Sequence, residues 1–213
     1  MKKSILNLVT ILFAKTNLRN MLVLIAAGIV ISLNSCGLSD QNTETQALDT
    51  VTASDATIFE NQEVGWTIDI PISWTKEELK EEDNTPETKV LLMLFNSENN
   101  MFIATAGNIG IGNDEAFEKS HLKNIETYFS GLKKRGLKWD HLTNSADTIN
   151  GQYFVVYEFT VNNANGSYAM NQKIYAAYIN GFDFMTTLFY TNEVAKATLI
   201  QMMDSSKFKT INK

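Results

Sequence analysis

The stretch that decides the fold is LTNSADTINGQYFVVYEFTVNNANGSYAMNQKIYAAYINGFDFMTTLFYT, residues 142–191. Three Asn-Gly pairs, Asn150-Gly151, Asn165-Gly166 and Asn180-Gly181, fall in it at 15-residue intervals between strand-like runs. Asn-Gly is the strongest short hairpin signal, because both residues accept the positive φ that a tight turn between twisted strands requires. The segments share no other similarity, so the spacing reflects strand-and-turn geometry. It predicts an antiparallel meander of four strands, about Leu142–Ile149, Tyr153–Val161, Tyr168–Ile179 and Phe182–Thr191. The runs carry apolar residues on both parities, as in Tyr153-Phe154-Val155-Val156-Tyr157. A strand with two apolar faces must be covered on both sides.

Two helices are available as covers. After the meander, Glu193 to about Ser206 offers Ala195, Leu199, Met202 and Met203 at helical spacing. Before it, residues 113–135 read as a long helix with Phe117, His121, Ile125, Tyr128 and Leu132 in one stripe. Asn113 can cap its start, and Asp114, Glu115 and Glu118 oppose the positive end of its dipole. Lys133, Lys134 and Arg135 oppose the negative end, with Gly136 at the stop. Upstream, Ile58-Phe59 and Trp66–Ile70 form a strand pair that Pro71 ends, and Lys89–Phe95 and Met101–Ala106 form two more strands. Thr75-Lys76-Glu77-Glu78 has capping-box spacing and predicts a short acidic helix. The fold class is α+β, an antiparallel β-sheet sandwiched between α-helices.

Working further outward, the chain divides into three parts. Residues 1–35 read as a lipoprotein signal peptide. Lys2, Lys3, Lys15 and Arg19 precede a 13-residue apolar core, Met21–Leu33, which is short of the roughly 20 residues a membrane-spanning helix needs. The core ends in Leu33-Asn34-Ser35-Cys36, which resembles a bacterial lipobox, with Asn34 departing from its usual small or aliphatic residue. Cys36 is the only cysteine and the expected site of lipidation. It excludes an internal disulfide or a thiolate zinc cage. Residues 36–56, polar and without aromatic residues, Lys or Arg, read as a lipidated Cys and flexible linker. Residues 57–213 form the globular domain.

All 24 acidic residues follow Cys36; setting aside the four cations before it leaves 14 basic residues there, a net of −10. Phosphate backbones are poor partners for such a surface, so no nucleic acid is expected. Gly37 in place of Asp after the lipidated Cys favours the outer membrane over the inner.

The opening Gly65-Trp66-Thr67-Ile68-Asp69-Ile70-Pro71-Ile72-Ser73-Trp74 resembles the start of PsbP-like domains, the Mog/PsbP/DcrB superfamily. The ending is similar too: Tyr178-Ile179-Asn180-Gly181-Phe182, an aromatic strand to Tyr190-Thr191-Asn192, then a last helix. The resemblance implies an α/β/α sandwich with binding or assembly roles, and it supplies no catalytic residue.

Candidates for chemistry are few. Gly107–Gly112 has GxxGxG spacing before a helix, but Asp114 and Glu115 would repel a phosphate there. His121 sits on an apolar stripe and His141 in a polar, loop-like stretch. Glu158 stands mid-strand between Tyr157 and Phe159 and is the one carboxylate expected to be partly desolvated, which would raise its pKa. The acidic run Glu77–Asp83 lacks calcium-loop spacing, and no metal or cofactor is expected. Trp66 and Trp74 suit the core, whereas Trp139, between Lys138 and Asp140, is the expected partner-binding aromatic. The expected role is a non-enzymatic, lipid-anchored envelope protein that binds another protein or stabilises a complex. The alternative is an envelope lipoprotein that binds a small ligand or lipid.

Overall fold

Strand alternation and helical stripe together build a three-layered molecule. The computed structural model describes residues 56–79, 88–112 and 114–211; Cys36, the signal-peptide segment, linker residues 36–55 and the Asn113 cap lie outside them, while Ala56 opens the first strand. In chain order the elements are β1 (Ala56–Asn61), β2 (Trp66–Pro71), β3 (Thr75–Lys76), β4 (Lys89–Phe95), β5 (Met101–Asn108), α1 (Asp114–Lys134), β6 (Lys138–Ile149), β7 (Gln152–Asn162), β8 (Tyr168–Ile179), β9 (Phe182–Tyr190), α2 (Glu193–Asp204) and β10 (Lys207–Phe208). A seven-stranded antiparallel sheet runs β3-β4-β5-β9-β8-β7-β6, and a small sheet runs β1-β2-β10.

Odd and even residues of the large sheet enter two separate cores. Leu92, Leu94, Phe102, Ala104, Phe184 and Leu188 pack with Trp66 and Ile68 of β2 and with Leu199, Met202 and Met203 of α2. Met93, Ile103, Ile174, Met185 and Phe189 pack with Ile125, Tyr128 and Leu132 of α1. The antiparallel sheet and its two helical covers stand as the sequence predicts, with the small sheet sharing a face with α2.

Trp66 centres the first core. It is fully buried, lies nearly parallel to Phe102 at 6.4 Å, and meets Phe184 edge-on at 5.1 Å. Its indole N–H donates to Ser206 Oγ at 3.1 Å, so the buried polar edge is satisfied. α1 ends as its sequence dictates: Gly136, at φ 74, donates to the Lys133 carbonyl, and Leu137 donates to that of Leu132.

Two local expectations fail. Thr75 and Lys76 form a strand paired with Phe95 and Leu94, and Glu77 N–H donates to the Met93 carbonyl at 2.9 Å. Capping-box spacing does not set a helix here, because in residues 75–79 only Leu79 is apolar and no stripe can form, whereas the edge of β4 offers a ladder. Asn165-Gly166 is not a two-residue turn. Only Gly166 has positive φ, within a longer loop in which Asn163 N–H donates to the Ser167 carbonyl.

The other two pairs do form tight turns, with φ of 48 and 85 at Asn150-Gly151 and of 51 and 91 at Asn180-Gly181. Their asparagines also hold the C-terminal segment. Asn150 Nδ2 donates to the carbonyls of Asp204 (3.0 Å) and Ser206 (2.7 Å). Asn180 Nδ2 donates to those of Val64 (2.8 Å) and Lys209 (2.7 Å), and its Oδ1 accepts from Ile211 N–H (3.2 Å).

Asn180→Gly keeps the turn but removes three tertiary hydrogen bonds, and should cost about 1–3 kcal/mol of unfolding free energy. Asn165→Gly removes only local bonds to Ser167 and should stay within about 0.5 kcal/mol. Urea denaturation of both variants checks this; equal losses would deny Asn180 its tertiary role.

Candidate functional site

Two polar constellations interrupt the apolar faces, one on each side of the large sheet. On the α2 face, β7 presents Glu158, β8 presents Lys173, β9 presents Tyr190 and α2 presents Lys196. Tyr190 O–H donates to Glu158 Oε1 at 2.8 Å, Lys196 Nζ lies 2.7 Å from the same oxygen, and Lys173 Nζ lies 3.8 Å from Oε2. Lys196 also stands over the Tyr190 ring at 5.8 Å and Lys173 over Tyr175 at 5.2 Å. Burial pushes the Glu158 carboxyl up, but hydrogen bonds from Lys196 and Tyr190 and the two ammonium charges outweigh it, and the net shift is downward. This corrects the expectation of a raised pKa: a half-buried carboxylate with two cationic neighbours stays ionised. Tyr190 is held protonated, first by burial and then by the Glu158 charge that accepts its proton donor.

On the α1 face the buried carboxylate is Asp183 of β9. It is only 4 % exposed, whereas the Glu158 side chain is 32 % exposed. Asp183 Oδ2 accepts from Ser120 Oγ at 2.5 Å and from Asn124 Nδ2 at 2.9 Å; Oδ1 is buried with no hydrogen-bond partner among the described residues. Burial pushes its pKa up, against Ser120, the charge of His121 and Asn124. Sequence reasoning singled out Glu158 and missed Asp183, although Phe182-Asp183-Phe184 carries the same signal of a lone acid in an apolar strand. His121 is buried and stacks on Phe117 at 4.6 Å. Its Nδ1 donates to the Phe117 carbonyl at 3.1 Å, since a carbonyl oxygen only accepts. Farther along α1, Tyr128 O–H donates to Gln172 Oε1, leaving Gln172 Nε2 and both terminal nitrogens of Arg135 buried and unpartnered among the described residues.

The sheet therefore separates the candidates. Glu158 and His121 lie on opposite faces and cannot act on one bond. His141 is exposed within β6, not in a loop, at a bulge where its φ is 53. The glycine loop is tied down: Ile109 and Gly110 N–H both donate to the Gly181 carbonyl, at 2.9 and 3.1 Å, so those two amides already serve the turn. Trp66 and Trp74 are core residues. Trp139 is half-buried, packed on Phe129 with 4.9 Å between ring centroids, at the margin of the α1 core. Among the described residues no three His, Cys, Asp or Glu side chains gather as a metal cluster, and no helix is long and apolar enough to cross a membrane.

No family model matches the sequence, and no curated protein matches it. Solved structures do. The chain is similar to the solution structure of cyanobacterial PsbP (CyanoP) from Synechocystis sp. PCC 6803, with a TM-score of 0.57 and 11 % identity, over 78 % of this chain and 99 % of that one. A crystal structure from Bacteroides thetaiotaomicron VPI-5482 matches with a TM-score of 0.37 and 8 % identity, over 75 % of this chain and 50 % of that one. The likeness to CyanoP is one of fold, and this chain has a PsbP-like α+β fold.

Asp183→Asn tests the buried carboxylate. A folded-state pKa above the unfolded one costs no stability below the unfolded value and costs it fully above the folded value. The variant should therefore gain stability relative to wild type as pH rises from about 4 to 7. Urea midpoints at the two pH values measure this, and a constant difference would mean Asp183 is not strained by its ionisation.

Proposed function

We propose that this is a non-catalytic, lipid-anchored protein of the bacterial cell envelope that binds another protein or stabilises an envelope complex. The observation that carries the reading is the position of Cys36. The chain's single cysteine stands directly behind its single signal-like apolar core and ahead of a polar tether. Acyl chains on Cys36 would each add about 0.8 kcal/mol per buried CH₂, and several together anchor stably. The tether would then hold an acidic domain away from the bilayer. Cleavage of the leader would remove all four cations before Cys36.

A binding role is supported by how the titratable groups are used. Glu158 is engaged by Tyr190 and Lys196, and His121 by Phe117; the two sit on opposite faces of the sheet. The PsbP-like fold is compatible with an accessory role in a complex. Trp139, half-buried and backed by Phe129, is the aromatic position we assign to the partner. The small-ligand alternative draws less support, because Ile125, Tyr128 and Leu132 fill the layer between α1 and the sheet.

The test compares the wild type with Cys36→Ala, each tagged at the C terminus. The wild type should fractionate with membranes, the outer membrane in a two-membrane cell, and Cys36→Ala should not. Cross-linking should recover a stoichiometric envelope protein with the wild type alone. An empty capture from correctly anchored protein would overturn the binding role, and membrane retention of Cys36→Ala would overturn the anchor.

A further inference from the structure

The large sheet has two very different edges. One is β3, two residues long; the other is β6, twelve residues long, paired on one side only among the described residues and exposed from Asp140 to Thr148. A long open edge presents a row of unpaired amides and carbonyls, and proteins usually blunt such edges with Pro, inward charges or short strands. β6 contains no Pro, and its one Lys stands at its first position. Its one irregularity is the bulge at which His141 and Leu142 together face a single position of β7.

The sequence of β6 is complementary to itself. Count His141 as the extra residue and pair two β6 strands antiparallel about Thr143. Lys138 then stands opposite Asp147, Trp139 opposite Ala146, Asp140 opposite Ser145, Leu142 opposite Asn144, and Thr143 opposite its own copy. The register with β7 makes the faces agree. Lys138 aligns with Asn162 and Asp147 with Phe154, both even positions of β7 and hence on the α2 face, while Trp139 and Ala146 align with Val161 and Val155 on the α1 face. The pairing sets a large ring against a small side chain and opposite charges against each other, and two-fold symmetry makes each pair occur twice. Within its own chain Asp147 Oδ1 accepts from Thr148 N–H at 2.8 Å, and its charge stands near that of Asp204. Asp204 is pushed up by burial and then by the nearby Asp147, with Lys173 as the opposing cation.

We propose that β6 is a homodimerisation edge, on which a second copy of this chain adds its own β6 antiparallel to form a continuous fourteen-stranded sheet (seven strands from each copy). The contact joins sheet edges and takes up Trp139, the residue assigned above to the envelope partner, so the two readings compete for that position, whereas the Cys36 anchor is independent of it.

The test uses the full chain in its native membrane. Thr143→Cys should give a disulfide-linked dimer on mild oxidation, because antiparallel partners at the axis lie about 4.5–5.5 Å apart at Cα, within disulfide reach. Wild type, which retains Cys36, sets the background. Thr148→Cys should not cross-link, since its two copies would lie on the order of 30 Å apart. Adding Lys138→Asp to Thr143→Cys should lower dimer yield about tenfold by facing acid with acid twice. Adding Asp147→Lys as well should restore it. No dimer above wild type, equal yield from Thr148→Cys, indifference to the charge reversal, or a link to a different protein would each overturn the proposal.

Discussion

The Asn180-Gly181 turn is the constraint on which the remaining structure depends. Two consecutive residues hold φ of 51 and 91, which L side chains other than Asn tolerate poorly and Gly adopts freely. The turn closes β8 against β9, the middle of the large sheet. Its Asn180 amide holds the β1–β2 connection at Val64 and the segment after β10 at Lys209 and Ile211. Its Gly181 carbonyl holds the loop that leads into α1, so closely that a Cβ on Gly181 would lie 3.2 Å from Gly110 and Ile111. One turn thus fixes how the small sheet on one face and the helix on the other meet the central strands. Asn150 repeats half of this arrangement at the same end of the sheet, holding the close of α2.

A sheet buried on both faces explains why the polar groups are so separated. Each strand alternates, so a side chain's parity decides which core it joins. Glu158 and Asp183 are both lone acids in apolar strands, yet one is half-buried on the α2 face beside two lysines while the other is buried on the α1 face among Ser120, His121 and Asn124. The first stays ionised and the second is pushed toward its neutral form. Their surroundings, not their residue types, account for the difference.

The edge and the interior obey different rules. Inside, Trp66, Phe102 and Phe184 settle the packing through shape and area, and truncating such a Trp costs about 3–5 kcal/mol. Between Asp140 and Thr148 the side chains of β6 are exposed and gain little from burial, so its backbone is what remains to be satisfied. The charges at its ends, Lys138 and Asp147, then carry weight that isolated surface charges do not.

The sequence alone determined the elements that rest on local chemistry. The four strands of the meander, two of its three Asn-Gly turns, the α1 stripe with its basic end and Gly136 stop, and the two-faced sheet follow from periods of 2 and 3.6 and from residues that accept positive φ. The Thr75–Glu78 helix failed because capping marks a start only where an apolar stripe follows it. Asn165-Gly166 failed as a tight turn because the loop length around it, which the strand register sets, was longer. Tertiary structure alone decided which parity faces which helix, and so which carboxylate is desolvated, that Trp139 leans on Phe129, and that Asn150 and Asn180 bond across more than 25 residues of chain. Those are contacts between segments distant in sequence, and no local propensity encodes them; they exist only once the sheet has brought the segments together.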